Sequence, residues 1–160
     1  MPKIKLKLST DSINQALKEV KAYQKKVEKA ADDLVRRLTE QGVSLAQLNA
    51  SYMDIYDTGE LMRGIESQYK GKIGFVVSTA THSIFCEFGT GIVGAQNPHP
   101  EVAIAGWRYD VNEHGQLGWW YIGRDGKSHW TKGMPSRPYM YETAKMLRSM
   151  VVPLAKEVMR

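Results

Sequence analysis

The feature that most constrains the fold is a long apolar stripe in the first third of the chain. Between residues 13 and 38, apolar side chains recur at alternating steps of four and three, with one polar interruption at Gln24. The members of the stripe are Ile13, Leu17, Val20, Gln24, Val27, Ala31, Leu34 and Leu38. This heptad-like spacing predicts a long helix with one apolar face. That face packs either on the rest of the domain or on a neighbouring subunit.

Residues that favour helix ends set the predicted limits of this helix. Residues 9–12 supply several possible N-caps, and Gly42 is a natural stop. Ser44 then caps a predicted short second helix that runs through Met53. Residues 3–8 alternate lysine with apolar side chains, which predicts a short strand with one buried face.

The middle of the chain is predicted to be mostly β-structure. Residues 65–70 and 73–81 flank Gly71 and read as two strands of a hairpin, followed by a short helix or turn over residues 82–88. Residues 118–123 and 128–132 flank a strong tight-turn signal and predict a second hairpin.

A helix with the same stripe spacing is predicted at the C-terminus. Its apolar residues run from Met140 to Val158, Ser136 is its candidate cap, and Pro138 suits its first turn. Pro153 removes a backbone donor inside this pattern, which predicts a kink or an end near residues 149–152.

Helices thus gather toward the ends of the chain and strands toward the middle. This order predicts an α+β fold, in which a long N-terminal helix and a C-terminal helix pack on an antiparallel central sheet. A Trp-rich β-hairpin projects from it. The 160 residues suit a single domain over 1–160, with 92–135 as the hairpin excursion.

The distribution of charge and the number of cysteines limit the possible partners and the cellular compartment of the chain. Residues 1–50 hold 10 Lys+Arg against 6 Asp+Glu, whereas residues 51–160 hold 12 against 11. This basic excess indicates either a solvated helix face or attraction to nucleic acid. Cys86 is the only cysteine, so an intrachain disulfide is excluded and a reducing compartment fits. With neither a signal-peptide core nor an apolar run near the roughly 20 residues that span a bilayer, we expect cytoplasmic folding and no membrane partner.

The sequence offers little that favours catalysis, a cofactor or a metal. The four histidines (His82, His99, His114 and His129) have no zinc-ligand spacing, and neither a nucleophile elbow nor a P-loop is present. We therefore expect no enzyme, no cofactor and no metal. Cys86 follows Ile84-Phe85 and reads as an inert buried thiol.

A small hydrolase remains a third alternative. It would use Cys86 with His82, or Glu87 with a nearby carboxylate at Asp54, Asp57 or Glu60. For Glu87 we expect instead a structural tie, in which its carboxylate accepts backbone N–H bonds from the following turn or pairs with an arginine; an intersubunit ion pair is the alternative.

The predicted second hairpin concentrates aromatic residues. Trp119, Trp120, Tyr121 and Trp130 are the candidate subunit interface. Neighbouring strand residues face opposite sides, so one of Trp119 and Trp120 is expected to pack on the domain while the other meets a partner. The open alternatives are an intradomain core and stacking on single-stranded nucleic acid, since basic residues lie among the aromatic ones.

Three segments together carry a resemblance to a known family. They are Thr58-Gly59-Glu60-Leu61, Phe85-Cys86-Glu87-Phe88-Gly89-Thr90-Gly91, and Gly133-Met134-Pro135-Ser136-Arg137-Pro138-Tyr139-Met140 with the helix that follows. Over about residues 10–160, the chain resembles the HK97 gp10-like family of phage neck and tail-component proteins. It departs from that family in its long segment between the second and third motifs and in the cysteine at position 86.

The resemblance implies a structural protein of a bacteriophage or prophage virion at the head–tail junction, in the neck or in tail completion. Such a subunit acts by ring assembly and protein–protein contacts. Its expected partners are copies of itself, neighbouring neck and tail proteins such as head-closure or tail-terminator subunits, and non-specifically the DNA in the channel. Its expected location is the virion, with the host bacterial cytoplasm during assembly.

The resemblance also marks a set of residues as structural. Glu87 and the turn at 89–91 are expected to shape the core, and Arg137 with Pro138 to set the return into the last helix. The full set is Thr58, Gly59, Leu61, Glu87, Phe88, Gly89, Thr90, Gly91, Arg137 and Pro138.

Overall fold

A computed structural model of the chain describes residues 9–55, 59–109 and 117–159. The predicted strand at residues 3–8 lies outside this part of the chain, as do Asp57, Thr58 and His114.

The described residues form six helices and five strands. In chain order they are α1 (Thr10–Tyr52), α2 (Glu60–Arg63), β1 (Ile65–Lys70), β2 (Ile73–Ser78), α3 (Ser83–Phe88), α4 (Gly91–Gln96), α5 (Val102–Ala105), β3 (Trp119–Ile122), β4 (Ser128–Thr131), β5 (Gly133–Met134) and α6 (Tyr139–Val158). Within the described part, β1 pairs with β2 and β3 pairs with β4, both antiparallel, as two separate two-stranded sheets. The predicted α+β class is confirmed.

Helix α1 is one uninterrupted element of 43 residues, about 65 Å long. Ser9 caps it, since its Oγ accepts a hydrogen bond from the N–H of Ser12 at 3.4 Å. The predicted stop at Gly42 and the separate helix capped by Ser44 were wrong. A Cβ atom at residue 42 would lie 2.6 Å from Cγ2 of Val76 and 3.0 Å from Cδ1 of Leu147. Gly42 therefore lets β2 and α6 approach the C-terminal half of α1 closely.

Helix α6 packs antiparallel on the C-terminal half of α1. At one end, Nδ2 of Asn49 donates to Oγ1 of Thr143 at 2.9 Å, and at the other Arg37 lies 3.7 Å from Glu157. Because α6 ends near Arg37, the first twenty residues of α1 extend beyond it and are mostly exposed. The two halves of α1 therefore have different surroundings.

Of the two outcomes predicted for Pro153, an end near residues 149–152 was wrong, because α6 continues to Val158. Leu154, the next residue, is buried. The packing of this side chain offsets the backbone hydrogen bond that the proline cannot make.

The hydrophobic core lies where the C-terminal half of α1 meets α2, β1, α3 and the start of α6. Tyr139 is its largest fully buried side chain, at 1% exposure. Its members are Ala46, Ala50, Ile55, Leu61, Ile65, Ala80, Cys86 and Tyr139. The prediction that Cys86 is a buried thiol is confirmed.

The two predicted hairpins match β1–β2 and β3–β4 closely. Residues 82–88, predicted as a short helix or turn, form α3. Helices α4 and α5 were not predicted, because each is only four to six residues long and the segment is rich in glycine and proline. Six of the eight residues of β3 and β4 are exposed, in line with a hairpin that projects.

Candidate functional site

Two distant segments of the sequence run side by side next to the core. They are residues 86–91 and residues 133–141, which we call the clasp. The N–H of Arg137 donates to the carbonyl oxygen of Cys86 at 2.9 Å. Farther along, Thr90 forms an antiparallel bridge with Met134. The clasp thus joins the second and third sequence motifs.

Glu87 is the centre of the clasp. Its Oε2 accepts the N–H of Met140 and its Oε1 accepts the N–H of Tyr141, both at 2.9 Å. Oε1 also lies 3.2 Å from Nε2 of His99, and both side chains are buried. Nδ1 of His99 accepts the N–H of Glu101 at 3.0 Å. This pattern assigns the ring proton to Nε2, which donates to the carboxylate.

The first turn of α6 is therefore capped by a carboxylate from another part of the chain. A negative charge at a helix N-terminus pairs with its free N–H groups and with its dipole. The predicted cap at Ser136 was wrong, since its Oγ instead donates to the carbonyl oxygen of Glu87 at 2.6 Å. The carboxylate of Glu87 bonds to α6 and His99 rather than to the turn or to an arginine. Nη1 of Arg137 donates to the carbonyl oxygen of Asp54 at 3.3 Å, and Pro138 directly precedes α6.

Two glycines allow the segments of the clasp to approach closely. Gly89 has φ +77°, and a Cβ atom there would lie 2.6 Å from the backbone nitrogen of Ser136. Gly91 has φ +59°, and a Cβ atom there would lie 2.8 Å from the ring of Trp119. Both positions therefore need glycine for its conformation and for its lack of a side chain.

An aromatic stack closes the outer side of the clasp. The ring of Phe88 lies 5.3 Å from that of Trp107 and 4.4 Å from that of His99, between centroids. Nε1 of Trp107 donates to the carbonyl oxygen of Gly89 at 3.1 Å. Sequence reasoning missed His99 and Trp107 as parts of the site. Their only signal was an aromatic and a histidine in an excursion otherwise rich in glycine and proline.

The first motif borders an open cavity of about 400 Å³ beside the clasp. Gly59 begins α2 with φ +74°, and the side chain of Leu61 is buried. Both line the cavity together with His82, Cys86 and Arg137.

The residues of the hydrolase alternative are only partly brought together. His82 and Cys86 line the same cavity, as do Asp54 and Glu60, whereas the carboxylate of Glu87 is bonded to α6. Burial raises the pKa of the Cys86 thiol; Arg137 opposes the shift and the charge of Glu87 adds to it. Because the thiolate is the nucleophilic form, this surrounding disfavours reaction at Cys86.

The β3–β4 hairpin presents aromatic side chains to solvent. Trp120 and Trp130 are cross-strand partners whose ring centroids lie 5.4 Å apart, edge to face. Trp120 is 65% exposed and Ile122 is 72% exposed, while Tyr121 and Trp130 are about half exposed. Trp119 points the other way and is half-buried over Gly91. We call Trp120, Ile122 and Trp130, which share one face of the hairpin, the aromatic patch; Tyr121, also predicted as interface, lies on the opposite face beside His129.

Side-chain bonds hold the tip of this hairpin. Oδ1 of Asp125 accepts the N–H of Lys127 at 3.1 Å and lies 2.9 Å from Nε2 of His129. The bond to His129, followed by that to Lys127, lowers the pKa of the Asp125 carboxyl. The tip is thus ordered by local contacts, independently of the clasp.

Comparison with protein-family models, with curated proteins and with solved structures returned no match. None of the helices in the described ranges has the length and apolar character to cross a bilayer. Within the same residues, His, Cys, Asp and Glu side chains form no group of three or more that could hold a metal ion.

Proposed function

We propose that the chain is a structural subunit of a bacteriophage or prophage head–tail junction, in the neck or in tail completion, that works through protein–protein contacts. The aromatic patch is the observation that carries this proposal. Large aromatic side chains dominate binding energy at protein interfaces, and a patch of this kind on a small domain marks an interaction surface. The motif resemblance supports the same assignment.

The clasp supports an assembly function over a catalytic one. The carboxylate oxygens of Glu87 are used by the N–H groups of Met140 and Tyr141 and by His99. A carboxylate that is engaged in this way fixes the start of α6 and the base of the excursion.

The contact that we propose joins the aromatic patch of one copy to a different surface of the next copy. Ring assembly needs such heterologous contacts, because one patch must meet another around a closed circle. Head-closure and tail-terminator subunits are the proposed neighbours above and below the ring. The proposed location is the virion, reached from the host cytoplasm.

The proposal is tested by removing the gene from the phage that encodes it and examining lysates by electron microscopy. We expect DNA-filled heads and free tails that do not join, with wild-type protein restoring joined particles. Trp120→Ala combined with Trp130→Ala should fail to restore them. Tyr52→Ala, which removes an aromatic side chain that is 79% exposed elsewhere, is the matched control and should restore them. Normal joined particles without the gene would contradict the proposal.

A nucleic-acid-binding accessory protein is the second candidate. It is favoured by a shallow groove on α1 lined by Lys18, Lys21 and Lys25. Filter binding of duplex DNA over a salt series separates the two candidates. Tight binding with a steep salt slope would favour the second, whereas weak binding that is lost at physiological salt fits incidental contact in a channel.

A further inference from the structure

The first half of α1 carries an apolar face that its own domain leaves open. Ile13 is 45% exposed, Leu17 is 53% exposed and Val20 is 50% exposed. Helix α6 ends near Arg37 and so stops short of these residues. About 30 Å of helix therefore extends beyond the domain with its stripe toward solvent.

An exposed apolar helix face of this length is expected to pack against another surface. Most helical stability in proteins comes from packing of an apolar face, and isolated helices are marginal in water. The strict alternation of steps of four and three, from Ile13 to Leu38, is the spacing that packs against another helix. At its inner end the stripe continues into the contact with α6, where Leu38 lines a groove with Leu147 and Val151.

Gln24, the polar member of the stripe, indicates the orientation of the partner helix. The step order places Leu17 and Gln24 at a positions and Val20 and Val27 at d positions. In a parallel pair a faces a, so Gln24 meets its own copy and the two amides can bond. Nε2 of Gln24 donates to Oε1 of Glu28 on the same helix at 3.0 Å, so the carbonyl oxygen is the atom that needs a partner. In an antiparallel pair a faces d, and this oxygen would be buried against a valine.

The flanks of the stripe are compatible with a second copy. The g positions hold Ala16 and Tyr23, which carry no charge, and Ala30, which its own chain already buries. The e positions hold Asn14, Lys21 and Glu28. The lysines at 18, 25 and 29 fall on the outer b and f positions. In a parallel pair each g position lies beside an e position of the other copy, so Lys21 and Glu28 meet the uncharged Ala16 and Tyr23 and no like charges oppose each other.

We propose that residues 13–31 of α1 pack, parallel and in register, against the same residues of a second copy of this chain. The contact is separate from the aromatic patch: it uses the same surface on both copies and therefore joins them in pairs, whereas the aromatic patch makes the heterologous contact. It rests on the proposed function for the assembly of copies. It brings the N-terminal helices of neighbouring subunits together on one side of the assembly.

Cysteine cross-linking tests this contact directly, because the native Cys86 is buried. Gln24→Cys places a thiol on the stripe, and Ala22→Cys places one on the opposite f position as the matched control. We expect Gln24→Cys to form disulfide dimers about 100-fold faster at micromolar protein, since a helix pair raises the effective thiol concentration to the millimolar range. Leu17→Glu in the Gln24→Cys background should abolish that difference.

Equal cross-linking rates for Gln24→Cys and Ala22→Cys would overturn the contact. A Gln24→Cys thiol that is shielded from alkylation in a monomer would also overturn it, because another segment of the same chain would then cover the stripe. Preferential cross-linking between Val20→Cys and Val27→Cys chains would overturn the parallel arrangement. If these variants fail while native mass spectrometry still finds multi-copy assemblies, the proposed function stands without this contact. If no assembly forms at all, both fail.

Discussion

The clasp and the β3–β4 hairpin lie next to each other but use their side chains in opposite ways. In the clasp, Glu87 and His99 are buried and hydrogen-bonded within the chain. In the hairpin, Trp120 and Ile122 are exposed on a strand pair held by its own turn. The difference indicates that the clasp fixes where the hairpin starts and ends, while one face of the hairpin stays exposed for the contact that we propose.

The largest expected effect comes from removing the centre of the clasp. Glu87→Ala leaves two helix N–H groups and the buried His99 without their acceptor, so we expect a loss of about 3 kcal/mol of unfolding free energy. Urea denaturation followed by circular dichroism measures it. Glu87→Gln should lose less, and the exposed control Glu66→Ala should change little. If Glu87→Ala lowers the unfolding free energy no more than Glu66→Ala does, the stabilising role of the clasp is contradicted.

Gly89 in the clasp and Gly126 in the hairpin turn allow the two regions to be compared at the backbone. Gly89 and Gly126 both have positive φ, but only Gly89 has backbone atoms within 3 Å of an added Cβ; Gly126 has nothing within 4 Å. Gly126→Ala should cost only the conformational penalty of about 1 kcal/mol, and Gly89→Ala about 2 kcal/mol or more. Thermal melts of the two variants measure the difference. Equal melting temperatures would show that the clasp accommodates a side chain at residue 89 without loss of stability.

Changes in the aromatic patch should scarcely affect folding. Replacing Trp120 and Trp130 together removes one cross-strand pair that is largely in solvent, so we expect a stability loss of less than about 1 kcal/mol. The same variant should lose about 2 kcal/mol or more in binding to its partner subunit. Urea denaturation and native mass spectrometry give the two numbers. A variant that unfolds instead would assign the patch to the core.

The smallest expected effect is a loss of stability at alkaline pH. It concerns Cys86 and Tyr139, which both lie in the clasp. Burial raises the pKa of Cys86 above its ordinary 9.0 and that of Tyr139 above its ordinary 10.0. Their contribution is therefore complete below pH 9.0 and is lost as the pH rises through the folded-state values. Urea midpoints measured from neutral to alkaline pH should fall in the wild type and fall less in Cys86→Ala. A wild-type midpoint that stays flat would contradict the burial of both groups.

Periodicity predicted most of the fold, because repeating signals accumulate over many residues. The stripes of α1 and α6 and the strands around Gly71 and around the turn at 124–127 were all predicted from local patterns. Local signals were wrong where distant packing outweighs them. Gly42 lies inside α1, where Val76 and Leu147 pack too closely for a larger side chain. Pro153 lies inside α6, which continues to Val158.

The candidate site was harder to predict, because its central bonds join residues that no local pattern links. Glu87 meets Met140 and Tyr141 more than fifty residues away along the chain. His99 reaches Glu87 from an excursion whose short helices carry no periodic signal. The aromatic patch was predictable, since alternation along a strand places Trp119 and Trp120 on opposite faces.

The proposed assembly is best tested by native mass spectrometry of the purified protein, alone and mixed with the head-closure and tail proteins that we propose as its neighbours. We expect a closed multi-copy assembly of this chain that binds those proteins and that is lost on replacing Trp120 and Trp130. A chain that stays monomeric under all these conditions and binds none of them would contradict it.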